Sequence, residues 1–409
     1  MKKYIAKRSE QGISKTDIIA INSKAKQDAL NGNQVINASI GTFLEDDKTL
    51  GFLSMVKEAL SEHINDSLGY PSSLGDPQYL KGIMNYVFED KLETINKLYH
   101  PFIGATLGGT GAISLSLNLF LEEGEAVLLP NIMWSNYKLV ATKAKVKYLT
   151  YEMFNEDNKF NIASVKETIK KAFSEHRRAV LIINDPCQNP TGYCMDKQEY
   201  DDLFTMLNEE GKNGQLIVLF DIAYISFLNI NDGRCPLIDK LCEGNTSFLS
   251  LIAFSTSKTL GTYGLRMGAL IALVDSEEEK EQLSNSFYAL ARGTYSVPVG
   301  SAQAAIANLF NDPNKINQLH TEIKRNSDLM YNRSKLLLKY LDKYDIDHYP
   351  YKCGFFVTLK VEDAYGLAEK LEKEHMYVVP MNNHSVRIAL SGLNDEEIVT
   401  LITKIKELI

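Results

Sequence analysis

A lysine and an arginine near the end of an apolar segment are the most chemically suggestive residues of the sequence. Ser255, Ser257 and Lys258 directly follow the apolar segment 248–254, and Arg266 lies a short glycine-containing stretch further on. A lysine amine placed after a buried strand suits a Schiff base with a carbonyl group. Serine hydroxyls and a guanidinium suit a phosphate. The segment is therefore consistent with a Schiff-base lysine beside a phosphate site, although on its own it fits a solvated lysine in a polar loop at least as well.

Two further polar groups follow apolar segments. Asp221 and Tyr224 come after 215–220, where an aspartate can pair with a protonated ring nitrogen and a tyrosine with a ring oxygen. Asn189 follows 179–184 and begins an Asn-Pro-Thr-Gly sequence that is first of all a turn, although its amide can also donate to a ring oxygen. A turn aspartate and a half-buried tyrosine are the structural alternatives.

Glycines and one arginine complete the candidate residues. Gly108 and Gly109 open an apolar helix, where exposed backbone N–H groups hold phosphate, although a plain glycine turn is equally consistent. The pattern is neither a dinucleotide-binding nor a Walker sequence. Arg387 lies in an alternating strand and needs a partner, either a substrate carboxylate or a structural acidic residue.

The elements that must position these residues alternate between strands and helices. The predicted strands are 126–130, 145–150, 179–184, 215–220, 248–254 and 267–273, with helices such as 163–173 and 196–207 between them. Strands that are apolar throughout are covered on both faces, so this part of the chain predicts an α/β domain with a mostly parallel sheet. Ligands of such sheets bind at the carboxyl ends of the strands, where all the candidate groups fall.

The C-terminal part of the chain has a different pattern. It predicts a long amphipathic helix over 314–341, strands over 354–359, near 376–380 and over 386–391, and helices over 364–375 and 394–409. This is typical of a small α+β domain. We therefore predict a large domain over 46–312 and a small domain formed by 1–45 and 313–409.

Composition excludes several classes of protein. The net charge of −8 argues against nucleic acid as a partner, and no apolar run reaches the ~18 residues of a membrane span. The basic segment 1–17 lacks the apolar stretch of a secretory signal. Five cysteines with no CxxC pair and no zinc-like spacing predict reduced thiols, no metal site and a cytoplasmic location.

Taken together, the candidate residues resemble those of the aspartate/aromatic aminotransferase family, fold-type I enzymes that depend on pyridoxal 5′-phosphate (PLP). The resemblance runs from about residue 36 to the C-terminus and is most specific in 255–268. It is carried by Ile40-Gly41, Tyr70-Pro71, Gly109-Thr110-Gly111, Trp134, Asn189-Pro-Thr-Gly, Asp221, Tyr224, Ser255-Thr-Ser-Lys258, Arg266, 292–296 and Arg387. It implies a large domain with a mostly parallel seven-stranded sheet between helices, plus a small α+β domain.

The resemblance also implies a role for each residue. Lys258 would form the Schiff base with PLP and then move the substrate proton, while Asp221 would pair with the ring nitrogen. Tyr224 and Asn189 would contact the ring oxygen, and Trp134 would stack on the ring. The phosphate would be held by Gly109, Thr110, Ser255, Ser257 and Arg266 of one subunit and by Tyr70 of its partner, which makes a homodimer necessary.

For the substrate, the resemblance implies that Arg387 binds the α-carboxylate and that Arg292 binds a second carboxylate across the dimer interface. Gly41, Trp134 and Asn189 would also line the substrate site. The implied reaction is transfer of an amino group between aspartate, glutamate or an aromatic amino acid and a 2-oxo acid such as 2-oxoglutarate. The alternative is a β- or γ-elimination lyase on the same fold.

Several positions depart from the family pattern. Gly108 stands where a phosphate-binding serine often occurs, and Tyr137 and Gln188 stand where histidines often support the ring-binding aspartate. Val297 and Val299 replace an asparagine and a proline after Arg292, so a strict aspartate preference does not follow from the sequence.

Overall fold

The computed structural model describes Tyr4 and residues 17–65, 69–228 and 235–409. Most of the basic N-terminal segment therefore lies outside the described residues. The chain forms two compact units. The larger unit comprises Leu50–Tyr331 and Pro350–Gly354, and the smaller unit comprises the described residues of Met1–Thr49 with Asn332–Tyr349 and Phe355–Ile409. The domain boundaries expected from the sequence, after residues 45 and 312, remain predictions.

The described residues form strands and helices with the following bounds. The strands are β1 (Ile36–Asn37), β2 (His100–Leu107), β3 (Ala126–Pro130), β4 (Lys147–Tyr151), β5 (Arg178–Asn184), β6 (Gln215–Asp221), β7 (Leu249–Ser255), β8 (Met267–Val274), β9 (Phe356–Lys360), β10 (Met376–Tyr377), β11 (Val379–Asn382) and β12 (Ser385–Ala389). The helices are α1 (Ile18–Leu30), α2 (Ser54–His63), α3 (Pro77–Phe88), α4 (Leu92–Leu98), α5 (Gly108–Phe120), α6 (Asn136–Lys143), α7 (Ile162–Glu175), α8 (Lys197–Gly211), α9 (Pro236–Leu241), α10 (Thr256–Thr259), α11 (Glu277–Thr294), α12 (Gly300–Asn311), α13 (Pro313–Tyr344), α14 (Ala364–Lys373) and α15 (Asp395–Leu408).

A seven-stranded sheet organises the described part of the larger unit. Its strand order is β2-β8-β7-β6-β5-β3-β4. The pairs from β7 through β4 are parallel, whereas β8 is antiparallel to both of its neighbours. The sheet is therefore mostly parallel and seven-stranded, as the resemblance implied.

The apolar composition of the strands explains this sheet. Every residue of β3 and β8 is buried, as strands covered on both faces must be. Helix α5 packs on β7 and β8, and α8 packs on β6. The core of this unit joins residues of α5 to residues of β3, β5, β6, β7 and β8. The candidate residues after β6 and β7 are thus attached to strands of the buried core of the unit.

The smaller unit contains two small sheets. Strands β1 and β10 pair in parallel, and β11, β12 and β9 form an antiparallel sheet with β12 at its centre. Helix α14 packs on α15 and on β11. The long helix α13 contributes residues to both units, since the division falls after Tyr331. No helix of the described residues has the length and apolar character needed to cross a bilayer.

Most predicted elements are present, with differences at the ends, and the two-residue strand β1 and strand β2 were not predicted. Strand β2 was not among the strands predicted from the residues, because its Pro101 and Gly104 interrupt the apolar pattern. The strand predicted near 376–380 is two short strands that belong to different sheets. The strand predicted over 386–391 ends at Ala389, because Leu390–Gly392 form a 3₁₀ turn.

Candidate active site

Lys258 lies immediately beyond the carboxyl end of β7. The Ser255 side chain accepts a hydrogen bond from the Ser257 N–H at 3.3 Å, and this bond starts the short helix α10. The Lys258 side chain is half-buried, with its Nζ 4.6 Å from the ring centroid of Tyr263 and 5.7 Å from that of Tyr224. The amine is therefore held between two aromatic rings at the same edge of the sheet as Asp221.

Asp221 ends strand β6 and is buried. It lies opposite Asn184 of β5 on one side and Ala253 of β7 on the other, so three parallel strands meet here. Its Oδ2 accepts a hydrogen bond of 2.5 Å from the Tyr137 hydroxyl, and its Oδ1 accepts one of 3.2 Å from the Ala223 N–H. Burial raises the pKa of Asp221 above its usual value. A buried carboxyl of this kind favours a cationic partner, which would restore its charged form.

Asn189 and Tyr224 are joined next to this carboxyl. The Asn189 side-chain amide donates to the Tyr224 hydroxyl at 3.5 Å, and both residues are buried. The Asn189 N–H donates to Asn184 Oδ1 at 2.8 Å, and Asn184 Nδ2 donates to the Asp221 carbonyl at 2.8 Å. The two residues predicted to share one ring oxygen are thus brought together by contacts within the larger unit.

The glycine turn before α5 and Arg266 form a cradle for an anion. Arg266 adopts a left-handed backbone conformation, with φ at 53°. Its Nη1 donates to Ser257 Oγ at 3.4 Å and to the Tyr263 carbonyl at 2.9 Å, and its Nη2 donates to the Leu107 carbonyl at 3.5 Å. The guanidinium is therefore held at the N-terminus of α5, where N–H groups point outward.

The absence of a side chain at Gly108 is required by this cradle. A Cβ at Gly108 would lie 2.6 Å from Arg266 Nη2, and the φ of 70° at Gly108 is itself unfavourable for other residues. A Cβ at Gly109 would lie 3.4 Å from the Ser255 Cβ, and the half-buried Thr110 follows in the first turn of α5. The departure at Gly108 is thus a matter of space, since the guanidinium fills the position that a side chain would need.

Of Trp134 and the two positions that depart from the family pattern, Tyr137 is the one with a hydrogen bond to Asp221. Trp134 is half-buried and meets the Tyr137 ring edge-on, with centroids 5.4 Å apart and an interplanar angle of 82°. Gln188 donates to the Ile132 carbonyl at 3.0 Å and accepts hydrogen bonds from the N–H and hydroxyl of Thr191. Tyr137 therefore supports Asp221, whereas Gln188 holds the turn that carries Asn189.

Tyr70 and Arg292 lie apart from this cluster. The Tyr70 side chain is 94% exposed. Arg292 is exposed near the end of α11 and donates to the Ser296 hydroxyl. Within residues 69–228 and 235–409 of the single chain, neither residue contacts Lys258, Asp221 or Arg266. Both were expected to act across a subunit interface, and that expectation remains a prediction.

Arg387 and Gly41 lie in the smaller unit. Arg387 is 1% exposed at the centre of β12, donates to the Ser39 carbonyl at 2.5 Å, and has its guanidinium carbon 4.4 Å from the Phe356 ring centroid. A Cβ at Gly41 would lie 2.3 Å from Phe356 Cζ, so only glycine fits there. The guanidinium is held by a carbonyl and an aromatic ring, in an arrangement that fixes its orientation.

Comparison with known proteins gives a consistent result. The family model described as "Aminotransferase class I and II" matches residues 33–405. The mitochondrial aspartate aminotransferase of Dictyostelium discoideum is 23% identical over 302 residues, which are 72% of this chain and 67% of that protein.

Two solved structures have the same fold. An aminotransferase from Anaerococcus prevotii has a TM-score of 0.92 and 26% identity, with 100% of this chain and 99% of that chain covered. An aromatic-amino-acid aminotransferase from Burkholderia pseudomallei, solved with covalently bound pyridoxal phosphate, has a TM-score of 0.80 and 19% identity, with 99% and 100% covered.

Proposed function

The chain belongs to the class I and II aminotransferases and is a PLP-dependent transaminase, and from this premise we propose its substrates and the roles of its residues. The proposed reaction moves an amino group between aspartate, glutamate or an aromatic amino acid and a 2-oxo acid such as 2-oxoglutarate, in a ping-pong sequence. The observation that carries the proposal is the placement of Lys258, Asp221 and the Arg266 cradle at one edge of one sheet.

The residues at this edge fit PLP. The Arg266 guanidinium, the Ser255 and Ser257 hydroxyls and the N-terminus of α5 form a donor set that suits a phosphate dianion. The buried Asp221 carboxyl, whose pKa burial raises, suits a protonated ring nitrogen. When bound, PLP supplies an aldehyde that condenses with amines and a ring that withdraws electrons from the substrate α-carbon.

The proposed roles of the protein side chains follow from their contacts. Lys258 Nζ holds and returns the proton at the substrate α-carbon, as a general base and acid. Asp221, held by Tyr137, keeps the ring nitrogen protonated. Tyr224 and Asn189 orient the ring oxygen. Their side chains are already adjacent, because the Asn189 amide donates a hydrogen bond to the Tyr224 hydroxyl. Trp134 covers the ring face.

We propose that Arg387 binds the substrate α-carboxylate and that Arg292 of the other subunit binds a second carboxylate. The rigid placement of Arg387 against Ser39 and Phe356 supports the first role, because a fixed guanidinium binds carboxylate in one orientation. The exposure of Tyr70 and Arg292 supports a homodimer in which both residues reach a partner's site. We also propose that Gly41, where the Phe356 ring leaves no room for a side chain, lines the substrate site with its backbone. The absence of disulfides among the five cysteines favours the cytoplasm as the location.

The test of this function is an amino-transfer assay with purified, PLP-loaded protein. Aspartate, tyrosine and phenylalanine are each offered with 2-oxoglutarate, glutamate is offered with oxaloacetate, and the new amino acid is quantified. We expect transfer with at least one pair and none by a Lys258→Ala variant that retains its fold. Absence of transfer in every pair would refute the proposed substrates. Pyruvate and ammonia formed from one amino acid without an acceptor would instead indicate the lyase, which the relatives do not favour.

Arg292 provides a test of substrate class. Arg292→Ala should lower kcat/KM for aspartate by about 100-fold and for phenylalanine by less than about 5-fold, because only aspartate loses a charged hydrogen bond worth about 1.5–3 kcal/mol. Arg325→Ala, which also removes an exposed arginine from a helix, serves as the control and should change neither value. Equal losses for both substrates would refute a role for Arg292 in binding a second carboxylate.

A further inference from the structure

Three cysteines that lie far apart in the sequence meet inside the larger unit. The Cys353 Sγ lies 3.4 Å from the Cys187 Sγ and 3.2 Å from the Cys194 Sγ, and all three sulfurs lie within 4.8 Å of one another. Their exposed fractions are 0% for Cys187, 3% for Cys194 and 4% for Cys353. We call these residues the thiol cluster. Within the described residues it is the one group of three potential metal ligands found this close together.

The backbone around the thiol cluster is built to bring the sulfurs together. Cys187 adopts a left-handed conformation with φ at 60°, which is uncommon for a residue with a side chain. Gly354 has φ at 101°, and a Cβ there would lie 2.5 Å from the Cys187 Cβ. The N–H groups of Lys352 and Cys353 both donate to the Gly192 carbonyl, at 2.9 and 3.1 Å. A strained residue and a required glycine thus hold the segment 350–354 against the 187–194 turn.

The geometry points to a binding site for a thiophilic d¹⁰ cation, Zn²⁺ or Cu⁺, held by Cys187, Cys194 and Cys353. Thiolates are the ligands that both of these cations prefer. In a tetrahedral site with Zn–S bonds of about 2.3 Å, sulfurs lie about 3.8 Å apart, so the separations of Cys353 Sγ from the other two sulfurs would widen by about 0.4 and 0.6 Å. On binding, each thiol loses its proton to solvent and forms one bond to the cation.

Two further contacts favour a bound cation over other uses of the cluster. The Cys187 N–H donates to the Cys194 Sγ at 3.1 Å, a bond that stabilises a thiolate and orients it as an outer-shell partner does at a metal. A disulfide uses only two sulfurs, with a bond of about 2.05 Å, and would leave the third thiol of the cluster without a function. The convergence of three sulfurs on one another fits a shared ion better than a pair.

A bound cation would act on the turn that carries Asn189. This turn lies between Cys187 and Cys194, and it is already closed by hydrogen bonds of 2.9 Å from the Gln188 N–H to the Tyr193 carbonyl and 2.6 Å from the Gly192 N–H to the Gln188 carbonyl. Coordination by all three sulfurs would tie both ends of the turn to segment 350–354. The site is distinct from the transaminase chemistry and would be a structural clamp for one of its ring-contacting residues.

The experiment uses the full-length, PLP-loaded chain without a metal-binding tag. Reduced protein is stripped with a chelator under anaerobic conditions, then titrated with Zn²⁺ in one arm and Cu⁺ in the other, each against a chromophoric competitor. Metal per chain is measured by mass spectrometry after gel filtration. We expect one ion per chain in at least one arm, and the arm with the tighter binding identifies the cation. The bound ion should also raise Tm.

Single variants show which thiols bind the ion. Cys194→Ser and Cys353→Ala each remove a direct ligand. Each should weaken ion binding by more than the loss of an outer-shell partner does, which is about 10- to 100-fold. Cys242→Ser, at a half-exposed cysteine outside the cluster, is the matched control and should bind like wild type. PLP absorbance and circular dichroism show whether each variant is folded. If one of the two variants does not fold, the other still tests the proposal. The proposal would be overturned if wild-type protein bound the ion no more tightly than the Cys194→Ser and Cys353→Ala variants. A disulfide within the cluster in metal-free protein would also overturn it.

Discussion

At the scale of single residues, Asp221 is the carboxyl of the proposed site whose ionised form is disfavoured by burial. It is buried and receives hydrogen bonds from Tyr137 and Ala223, yet burial still raises its pKa. An ionised carboxylate in this position is unfavourable in the cofactor-free chain and favourable beside a cationic ring. In its proposed role, Asp221 lowers the stability of the cofactor-free chain and strengthens cofactor binding, as functional residues often do.

Asp221→Asn tests this exchange through the dependence of stability on pH. Because the folded pKa is raised, the stability contributed by the protonated carboxyl is fully present below the ordinary aspartate pKa of about 4 and is lost as pH rises through the folded value. Cofactor-free Asp221→Asn should therefore melt at a higher temperature than wild type at pH 8, and the difference should shrink toward pH 4. Asp202→Asn, on the exposed face of α8, is measured alongside as the control. A variant less stable than wild type at pH 8 would contradict the prediction.

Tyr137 is proposed to act through Asp221 as a positioning residue. Tyr137→Phe removes the 2.5 Å hydrogen bond to the carboxylate, and a bond to a charged group contributes about 1.5–3 kcal/mol. We expect kcat/KM to fall by roughly 10- to 100-fold, with the pH at which bound PLP changes its absorbance also shifted. Tyr151→Phe, which removes a buried hydroxyl that donates to the Ile182 carbonyl, is the matched control. The same absorbance in both variants would leave Tyr137 with a packing role only.

At the scale of elements, the N-terminus of α5 and the end of β7 together hold the proposed phosphate site. Gly108 opens the helix with no side chain because Arg266 occupies that space, and the Ser257 hydroxyl of α10 accepts a hydrogen bond from the same guanidinium. Exposed N–H groups at a helix start and a guanidinium both favour negative charge, so their combination is more selective than either feature alone.

Gly108→Ala tests this arrangement against a matched glycine. Gly108 and Gly124 both have positive φ, at 70° and 91°, but a Cβ would meet Arg266 at Gly108 and nothing within 4 Å at Gly124. Both alanine variants should lose a similar amount of stability, about 1 kcal/mol from backbone strain. Only Gly108→Ala should also weaken PLP binding, by 10-fold or more, as measured by absorbance titration. Equal PLP affinity in the two variants would argue against the cradle.

At the scale of the whole molecule, we propose a homodimer because two candidate residues lie away from Lys258 and Asp221 in one chain. Tyr70 is nearly fully exposed, and Arg292 projects from the end of α11 toward Ser296. In the proposed homodimer, Tyr70 and Arg292 of one subunit would each contact the active site of the other subunit.

Mixed dimers test this assembly directly. Lys258→Ala and Arg292→Ala chains are each expected to be inactive toward aspartate, but a mixed dimer would have one site with an intact Lys258 and an intact Arg292 from the partner. Unfolding, mixing and refolding the two variants should restore about a quarter of wild-type activity, since half of the randomly formed dimers carry one complete site of two. Activity no higher than that of the separate variants would mean that Arg292 does not act across an interface.

The sequence by itself determined the class of fold and most candidate residues. Fully apolar strands that alternate with amphipathic helices predicted the parallel sheet, because burial on both faces leaves a pattern along the chain. The polar residues at the strand ends could also be recognised, because they directly follow these apolar runs. The segment 255–268 was specific enough to indicate the family, and the family match over 33–405 confirms it.

Only the tertiary structure decided which side chains meet. The Tyr137–Asp221 bond joins α6 to β6, the Gly108–Arg266 contact joins α5 to the start of β8, and the thiol cluster joins Cys187 to Cys353 across 166 positions of sequence. Cysteine spacing predicted no metal site, and β2 was missed because Pro101 and Gly104 break its pattern. Periodicity records how deeply a residue is buried, whereas its neighbours depend on strand order and register, which are set by packing between distant segments.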